Sequence, residues 1–300
     1  MTNLVKFSIT LSLVFLIDNV HADREAFEST YAPLAPEKII IQNASVYDGD
    51  GGELLETDIL VDNGKIIAIG KDLPFSNEFR VIDATGKWVT PGIIDIHSHM
   101  GVYPAPGVRT SSDGNEATSP VTADVWAEHS IWVQDPQYAL ALTGGVTAFH
   151  ILPGSANLIG GRGVTVKNLQ RVTINSMKFP DAPHSLKMAC GENPKRVYGN
   201  RGQAPSTRMG NAAGYRKSWI QAEGYLRRLN EYEEKSDEAK ELEYAPTRDL
   251  EMETLAGVLK GEILVHNHCY RADEMATMID IAKEFNYKIT AFHHGVEAYK

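Results

Sequence analysis

Residues 90–100 read TPGIIDIHSHM, and no other stretch of the chain says as much about its fold. A Pro-Gly break precedes an apolar run with Ile93, Ile94 and Ile96, a pattern that predicts a short buried strand. His97 and His99 are two residues apart at the end of this strand, so both imidazoles point to the same side. Two neutral imidazoles on one face make half of a divalent-metal site, and zinc is the commonest metal for such ligands.

The sequence pattern changes across this strand. Residues 38–89 contain short β-type runs, and Asn63-Gly64 between two of them is a strong hairpin signal because both turn residues need positive φ. Beyond Pro91, apolar runs of strand length alternate with stretches of helical spacing, such as the one through Trp219 and Leu226. Repeated βα units predict a parallel sheet, either open or closed into a barrel.

Six of the ten histidines form three pairs at the carboxyl ends of predicted strands: His97 with His99, His266 with His268, and His293 with His294. One His-X-His pair could be two unrelated polar residues in a turn, but three pairs at equivalent strand ends are hard to explain that way. In a (β/α) barrel the active site is built at that end from several strands. The histidine pattern therefore predicts a metal site.

A metal site of this kind also needs an acidic group, and the chain offers two candidates close together. Glu192 lies just beyond a predicted strand and could bind a metal directly. Lys187 lies within that strand and could do so only after CO₂ had converted its amine to a carbamate. Glu192 could equally be a helix-start carboxylate, and Lys187 the buried partner of an acid. The sequence leaves this choice open.

The net charge of the chain and its first 22 residues indicate which partners it has and where the protein is located. The net charge of −10 argues against a nucleic-acid partner, which needs a basic stripe. Within residues 1–22, Lys6 precedes an apolar stretch too short to span a bilayer, and Val20-His21-Ala22 places small residues where a signal peptidase cuts. We expect export to the periplasm or the medium, a mature chain that starts at Asp23, and no stable membrane anchor.

Four further features carry weaker signals. Export permits disulfides, but whether Cys190 and Cys269 pair stays open. The run Gly160–Gly163 lacks the Gly-Lys-Ser/Thr of a phosphate loop and predicts a tight turn. Residues 102–120, rich in Pro, Gly and Ser, predict a loop above His99 that either covers a substrate or is disordered. The acidic residues 231–243 predict a solvated helix face.

Taken together, several segments resemble the amidohydrolase superfamily, and more closely its imidazolonepropionase-like and prolidase-like secreted branch. The similar segments are Pro91–His99, the β-type run Val61–Ile66 before it, Gly145–Thr147, Leu152–Ser155 and Gly191–Arg196. The resemblance extends over residues 38–300. It implies an α/β fold in which a small β-sandwich domain precedes a (β/α)₈ TIM-type barrel.

On this basis the chain divides into three parts. Residues 1–22 are the expected signal peptide, 23–90 the N-terminal part of the small β-sandwich domain, and 91–300 the hydrolase barrel. A complete barrel of this type has eight βα units in about 250 residues, so we expect an incomplete barrel with about six of them. An incomplete barrel predicts an open sheet with a gap beside its last strand.

The resemblance also implies a ligand set. In the family, the His-X-His pair, a bridging acidic group, and one histidine each from the fifth and sixth strands hold one or two divalent ions. Carried over, the ligands are His97, His99, Glu192 or Lys187, His266 and His294, while His268 and His293 remain for the substrate. Zinc is the first expectation; manganese, iron and cobalt accept the same donors.

The implied activity is hydrolysis of a C–N bond in a small molecule, such as a dipeptide amide or a cyclic amide, by a metal-activated water. In the family, an aspartate from the eighth strand accepts the proton of that water. We expect this aspartate beyond Lys300, and we therefore expect residues 1–300 alone to be inactive. Two alternatives are a member of the fold that binds metal or ligand without turnover, and an open-sheet α/β binding protein with incidental histidines. All three readings allow a homo-oligomer.

Overall fold

A computed structural model describes residues 28–300 of the chain. The predicted signal peptide and the expected start of the mature chain at Asp23 lie outside these residues. The described part contains two separate sheets, one of five strands and one of six, with helices packed on the second.

The first sheet consists of β1 (Ile39–Tyr47), β2 (Glu53–Asp62), β3 (Lys65–Gly70), β4 (Arg80–Asp83) and β5 (Trp88–Val89). Their order is β3-β2-β1-β4, and β5 also pairs with β1. The β2–β3 hairpin turns at Asn63 and Gly64, whose φ angles of 51° and 71° confirm the predicted turn. These strands form one sheet, as expected for part of a small β domain, and apolar side chains such as Ile66 are exposed on it.

The second sheet consists of β6 (Ile93–Ser98), β7 (Val146–Ile151), β8 (Ile159–Lys167), β9 (Ser185–Ala189), β10 (Leu264–Cys269) and β11 (Ile289–His294). Its six strands follow chain order from β6 to β11. All neighbours are parallel except β8, which runs antiparallel to both β7 and β9. The prediction of an incomplete α/β barrel is confirmed, and the prediction of a wholly parallel sheet is wrong at β8.

The prediction of a tight turn at Gly160–Gly163 is wrong, because these residues belong to β8. The glycines allow the neighbouring strands β7 and β9 to approach closely. A Cβ on Gly163 would lie 2.6 Å from the Ser185 hydroxyl and 2.9 Å from the Ile151 carbonyl oxygen. Glycine inside a strand often marks such an approach. The strand character comes from the β-branched residues that follow, Val164 and Val166, which are both buried.

Six helices accompany these strands: α1 (Gln137–Thr143), α2 (Glu192–Gly199), α3 (Arg208–Glu233), α4 (Asp237–Glu241), α5 (Leu250–Lys260) and α6 (Ala272–Glu284). The apolar face predicted through Trp219 is the buried face of α3, which packs on Leu255 of α5 and on β10. Within residues 28–300, no helix is long and apolar enough to cross a membrane.

The strand that ends in His97 is at the edge of the six-stranded sheet, since its pairing partner is β7. Ile93, Ile94 and Ile96 are 53%, 61% and 60% exposed, so the prediction that this strand is buried is wrong for the described part of the chain. The sheet nevertheless curls until its two edge strands meet at their carboxyl ends: the rings of His97 on β6 and His293 on β11 are 4.4 Å apart. The expected gap is therefore nearly closed at this end.

Candidate functional site

Seven histidines gather inside the curl, on strands β6, β7, β10 and β11 and on the residue after β6. They fall into two groups by their contacts. The rim cluster contains His97, His99, His268 and His294. The inner cluster contains His150, His266 and His293. All six histidines that the sequence singled out lie in one cluster or the other.

His97 and His99 face each other as the sequence predicts, with their Nε2 atoms 3.3 Å apart. Two nitrogens that each lie about 2.0–2.1 Å from one tetrahedral ion are about 3.4 Å apart, so this pair matches a shared ion. The Nδ1 atom of His99 is 2.8 Å from the Leu152 carbonyl oxygen, which can only accept a hydrogen bond. Nδ1 therefore carries the proton, and the Nε2 lone pair of His99 is free to bind a metal.

The four downstream histidines, two on β10 and two on β11, contact one another in two pairs. His266 and His268 both point into the barrel because they are two residues apart on β10. His266 Nδ1 lies 2.8 Å from His293 Nε2, whereas the ring of His268 is 4.5 Å from that of His294. His266 thus contacts His293 and His268 contacts His294, while the assignment of His266 and His294 as metal ligands stays a prediction.

His294 reaches the rim cluster through an unusual backbone conformation. Neighbouring side chains on a strand point to opposite faces, so His293 and His294 should not both reach the interior. His294 has a φ of 69°, in the left-handed region, and its ring lies 4.9 Å from that of His97. The turn at the end of β11 therefore returns the second histidine to the site.

Lys187 is close enough to both clusters for its charge to act on all seven histidines. It lies on β9 beside His266 of β10, is 1% exposed, and donates a hydrogen bond from Nζ to the Pro153 carbonyl oxygen at 2.9 Å. Burial lowers the pKa of its amine to about 7, so a large fraction of the amine is neutral at neutral pH. A neutral buried amine is the form that can react with an electrophile.

Glu192, the other candidate for the acidic group, is the first residue of α2 and its side chain is exposed. A carboxylate at that position is favourable because it lies at the positive end of the helix dipole. Of the two alternatives that the sequence leaves open, the structure brings only Lys187 into the histidine clusters.

The side chains do not complete a metal site as they stand. Within residues 28–300, no group of three or more His, Cys, Asp or Glu side chains is arranged to hold one ion. The expectation that His97, His99, His266 and His294 converge within one coordination sphere is therefore not met. The donor chemistry fits a divalent ion, and the geometry fits at the His97–His99 pair.

Burial lowers the pKa of every histidine in both clusters, and the neighbouring Lys187 charge adds to the effect. The pKa falls to about 2 for His97, to about 3 for His150, His268 and His293, and to about 4 for His266, while those of His99 and His294 are also lowered. At neutral pH all seven rings are uncharged, which is the protonation state that a metal ligand needs.

His150 is a member of the site that the sequence analysis missed. Its ring lies on β7, 4.6 Å from that of His266, with Nδ1 2.9 Å from the Thr165 hydroxyl and Nε2 2.7 Å from the Ser185 hydroxyl. A single histidine in an apolar strand usually indicates a satisfied core residue. The available signal was its place near the end of the strand next to His97.

Cys190 and Cys269 form a disulfide, which settles the pairing that the sequence left open. Cys190 directly follows β9 and Cys269 ends β10, and their Cα atoms are 5.2 Å apart. The Cys190 amide also donates to the His268 carbonyl oxygen at 2.8 Å. The bond therefore ties together the ends of the strands that carry Lys187 and His268.

The loop of residues 102–120 lies beside the rim cluster and is held by hydrogen bonds. Asn157 donates to the carbonyl oxygens of Glu116 and Ser119 at 2.7 and 2.8 Å, and the Gly154 amide donates to the Gly114 carbonyl oxygen at 2.7 Å. The structure thus favours the ordered alternative over the disordered one.

Comparison with known proteins places this geometry in a family. No family profile matches the chain. The amidohydrolase tasK of Hapsidospora irregularis is 36% identical over 260 residues, which are 81% of this chain and 26% of the relative. A solved amidohydrolase from Thermotoga maritima MSB8 has a TM-score of 0.79 at 39% identity, covering 87% of this chain and 66% of that one. The chain belongs to the amidohydrolase superfamily.

Other members of the superfamily match over shorter stretches. A dihydroorotase from a Thermoanaerobacter species is 43% identical over 82 residues, 27% of this chain and 19% of the relative. The chain therefore spans only part of each of these amidohydrolases. The predicted superfamily is confirmed, and its secreted branch stays a prediction.

Proposed function

We propose that this protein hydrolyses a C–N bond of a small amide, either cyclic or acyclic. The observation that carries the proposal is the gathering of neutral histidines around a buried lysine at the carboxyl ends of the barrel strands. That is the end at which barrel enzymes build their active sites. The relatives named amidohydrolase and dihydroorotase support the same class of reaction.

In this proposal a divalent ion, zinc first, would be held by His97, His99, Lys187, His266 and His294. Such an ion supplies a water of lowered pKa and polarises the carbonyl group that is attacked. The chain's own residues then have distinct tasks. His99 presents Nε2 because Leu152 fixes its tautomer, and the curled sheet brings β6 to β10 and β11. His268 and Asn193, whose Nε2 and Nδ2 atoms are 3.2 Å apart, are placed to orient the substrate.

Lys187 supplies the acidic ligand in this proposal as a carbamate. Its neutral amine attacks the carbon of CO₂: an N–C bond forms, one C–O π bond breaks with its electron pair going to oxygen, and the nitrogen releases a proton to solvent, which leaves an anionic carbamate. The lowered pKa of Lys187 and its burial among the histidines support this assignment over Glu192. A carbamate also replaces a buried positive charge with a negative one, which suits a divalent cation.

The test is a substrate panel with the purified full-length protein. Cyclic amides, dipeptides and N-acylated amino acids are assayed after dialysis against chelator and again after addition of Zn²⁺, Mn²⁺ or Co²⁺. We expect metal-dependent release of a free amine from at least one class and its loss in His97→Ala. Hydrolysis that survives chelation, or none with any class and metal, would contradict the proposal.

A second candidate function is ligand or metal binding without turnover. It is favoured by the lack, in residues 28–300, of three His, Cys, Asp or Glu side chains arranged around one point. The same panel separates the two functions when it is combined with metal analysis of the protein. Stoichiometric metal without hydrolysis of any class would support the second candidate.

We also propose that the protein is exported. The support is the short apolar segment before Val20-His21-Ala22 and the disulfide between Cys190 and Cys269, a bond typical of oxidising compartments. N-terminal sequencing of the protein from the producing cell tests this: a start at Asp23 is expected. An intact Met1 form in the cytoplasm would contradict it.

A further inference from the structure

Two tyrosines flank the rim cluster from different strands. Tyr103, in the loop after β6, has its ring 5.6 Å from that of His99 at an interplanar angle of 82°. Tyr270, directly after β10, has its ring 4.5 Å from that of His268 and 5.6 Å from that of His294. Because β6 approaches β11 at this end of the barrel, the two phenol rings border one cluster at different members: Tyr103 at His99, and Tyr270 at His268 and His294.

Tyr103 is held in one orientation by close packing on two glycines, Gly114 and Gly154. A Cβ on Gly114 would lie 2.1 Å from the Cζ atom of Tyr103, so the ring packs directly on the backbone there. A Cβ on Gly154 would lie 2.8 Å from the Tyr103 hydroxyl, which donates to Asn115 Oδ1 at 3.0 Å. The residue is nevertheless 39% exposed. One side of the ring is fixed while another stays open.

The surroundings of both rings provide amide groups. Asn115 bonds to Tyr103 and donates from Nδ2 to Asn157 Oδ1 at 3.2 Å. Asn193 lies beside His268, which contacts Tyr270. Phenol and carboxamide groups are uncharged, and they favour an uncharged ligand over a charged one.

We propose that Tyr103 and Tyr270 are the side walls of the substrate pocket and select a flat, uncharged group. This inference rests on the proposed function in one respect: it takes the rim cluster as the reacting centre. Aromatic rings bind flat π-systems by stacking or by edge contacts, which adds to the apolar area that they cover. A puckered ring of similar size presents fewer atoms to such a wall and gains less from it.

The experiment measures binding and turnover separately with two probes. Hydantoin is a flat cyclic diamide, whereas 2-piperidone is a puckered lactam. Their dissociation constants are measured by calorimetry with the full-length protein and with Tyr103→Ala, Tyr103→Phe, Tyr270→Ala and Tyr270→Phe. Tyr244→Ala is the matched control, since Tyr244 is 98% exposed on the surface. Unfolding curves of each variant show whether it is folded.

We expect the wild type to bind hydantoin more tightly than 2-piperidone. Each alanine variant should weaken hydantoin binding by roughly tenfold, each phenylalanine variant by less than about threefold, and the control not at all. For a hydrolysed substrate, KM should rise with kcat nearly unchanged. The Phe variants keep the test valid if an Ala variant does not fold: with the ring kept, loss of hydantoin binding to the level of 2-piperidone would overturn the inference.

The outcomes also separate this inference from the proposed function. If hydantoin binds through both tyrosines and no panel member is hydrolysed, the proposed role of the tyrosines is supported and the proposed hydrolase activity is contradicted. If the wild type hydrolyses a panel member but binds hydantoin and 2-piperidone equally, or binds neither, the proposed role of the tyrosines is overturned. The proposed hydrolase activity is then unaffected. Alanine variants that bind like Tyr244→Ala would also overturn the walls.

Discussion

The rim cluster and the inner cluster are made of the same residue type and touch each other, yet their rings have different partners. In the inner cluster, both nitrogens of His150 meet hydroxyl groups, and His266 pairs with His293. In the rim cluster, the Leu152 carbonyl holds one nitrogen of His99, and the other faces His97. Both nitrogens of His150 are therefore bonded to the protein's hydroxyl groups, whereas His99 keeps an Nε2 lone pair that faces His97.

The difference shows that a histidine's partners, more than its presence at a strand end, decide what it can do. A ring with both nitrogens bonded to the protein is a structural element of the core. A ring with one nitrogen held by a carbonyl and the other free is an oriented ligand. Five predictions test this comparison and the residues around the two clusters, beginning with the largest expected effect.

The double variant His97→Ala/His99→Ala should abolish metal retention by the full-length protein, because it removes the one pair whose geometry matches a shared ion. This is checked by measuring the metal content of each variant after gel filtration, by inductively coupled plasma mass spectrometry. His129→Ala is the control, since the His129 side chain is 53% exposed. Retention of stoichiometric metal by the double variant would move the metal site to the inner cluster.

Lys187→Met should lower kcat by roughly a hundredfold or more, because the side chain keeps its length and loses the amine that we propose reacts with CO₂. Carbon-13 NMR after incubation with labelled bicarbonate should show a carbamate signal in the wild type and none in this variant. Glu192→Gln is the matched control and should keep both signal and rate. If Glu192→Gln lost activity and Lys187→Met kept it, the acidic group would be assigned to the wrong residue.

Loss of the disulfide should cost about 2–4 kcal/mol of folding free energy, since the bond closes a large loop. The double variant Cys190→Ser/Cys269→Ser and the reduced wild type should show the same decrease in urea denaturation. Dithiothreitol should not affect the variant further. Because the bond joins β9 to β10, activity should fall with stability; an unchanged denaturation midpoint would show that the bond is dispensable.

His150→Leu should destabilise the fold by about 1–3 kcal/mol without removing the metal, because it leaves the buried Ser185 hydroxyl and the half-buried Thr165 hydroxyl without their partner. Adding Ser185→Ala should recover part of the loss. The comparison is made on metal content and urea midpoint together. Loss of metal in His150→Leu with an unchanged midpoint would mean that the inner cluster is the ligand cluster.

The same variant should change the pH dependence of the metal-free protein. Burial and neighbouring charges lower the pKa of His150 to about 3 in the folded state, against about 6.5 in an unfolded chain. Between these values the unfolded state binds the extra proton, so stability is lost as the pH falls from about 6.5 towards about 3. One such group contributes at most about 1.4 kcal/mol per pH unit, and the His150→Leu curve should be flatter by up to that slope.

The sequence was sufficient for the fold class and for the side to which the first pair points. His97 and His99 form the predicted pair because residues two apart on a strand share a face. β8 was missed because three glycines in four residues favour a turn locally, and only the neighbouring strands show that they permit close packing.

The contacts within the site could not be predicted from local patterns in the sequence. His266 and His268 were treated as alternatives, although both face inward and contact different residues of β11. His150 stood alone in an apolar strand and had no sequence neighbour to mark it. The choice between Lys187 and Glu192 depended on burial, which a spacing of five residues does not reveal.

The left-handed backbone at His294 lowers the stability of the fold, but it brings an imidazole to the rim cluster. A φ of 69° costs a residue with a side chain about 1–2 kcal/mol relative to glycine. Selection for thermal stability alone would therefore favour glycine at this position and would remove an imidazole from the rim cluster. A library sorted first by heat resistance and then by catalysis should discard its hydrolases in the first step. Ancestral or consensus redesign of this chain is safer when residue 294 is kept fixed.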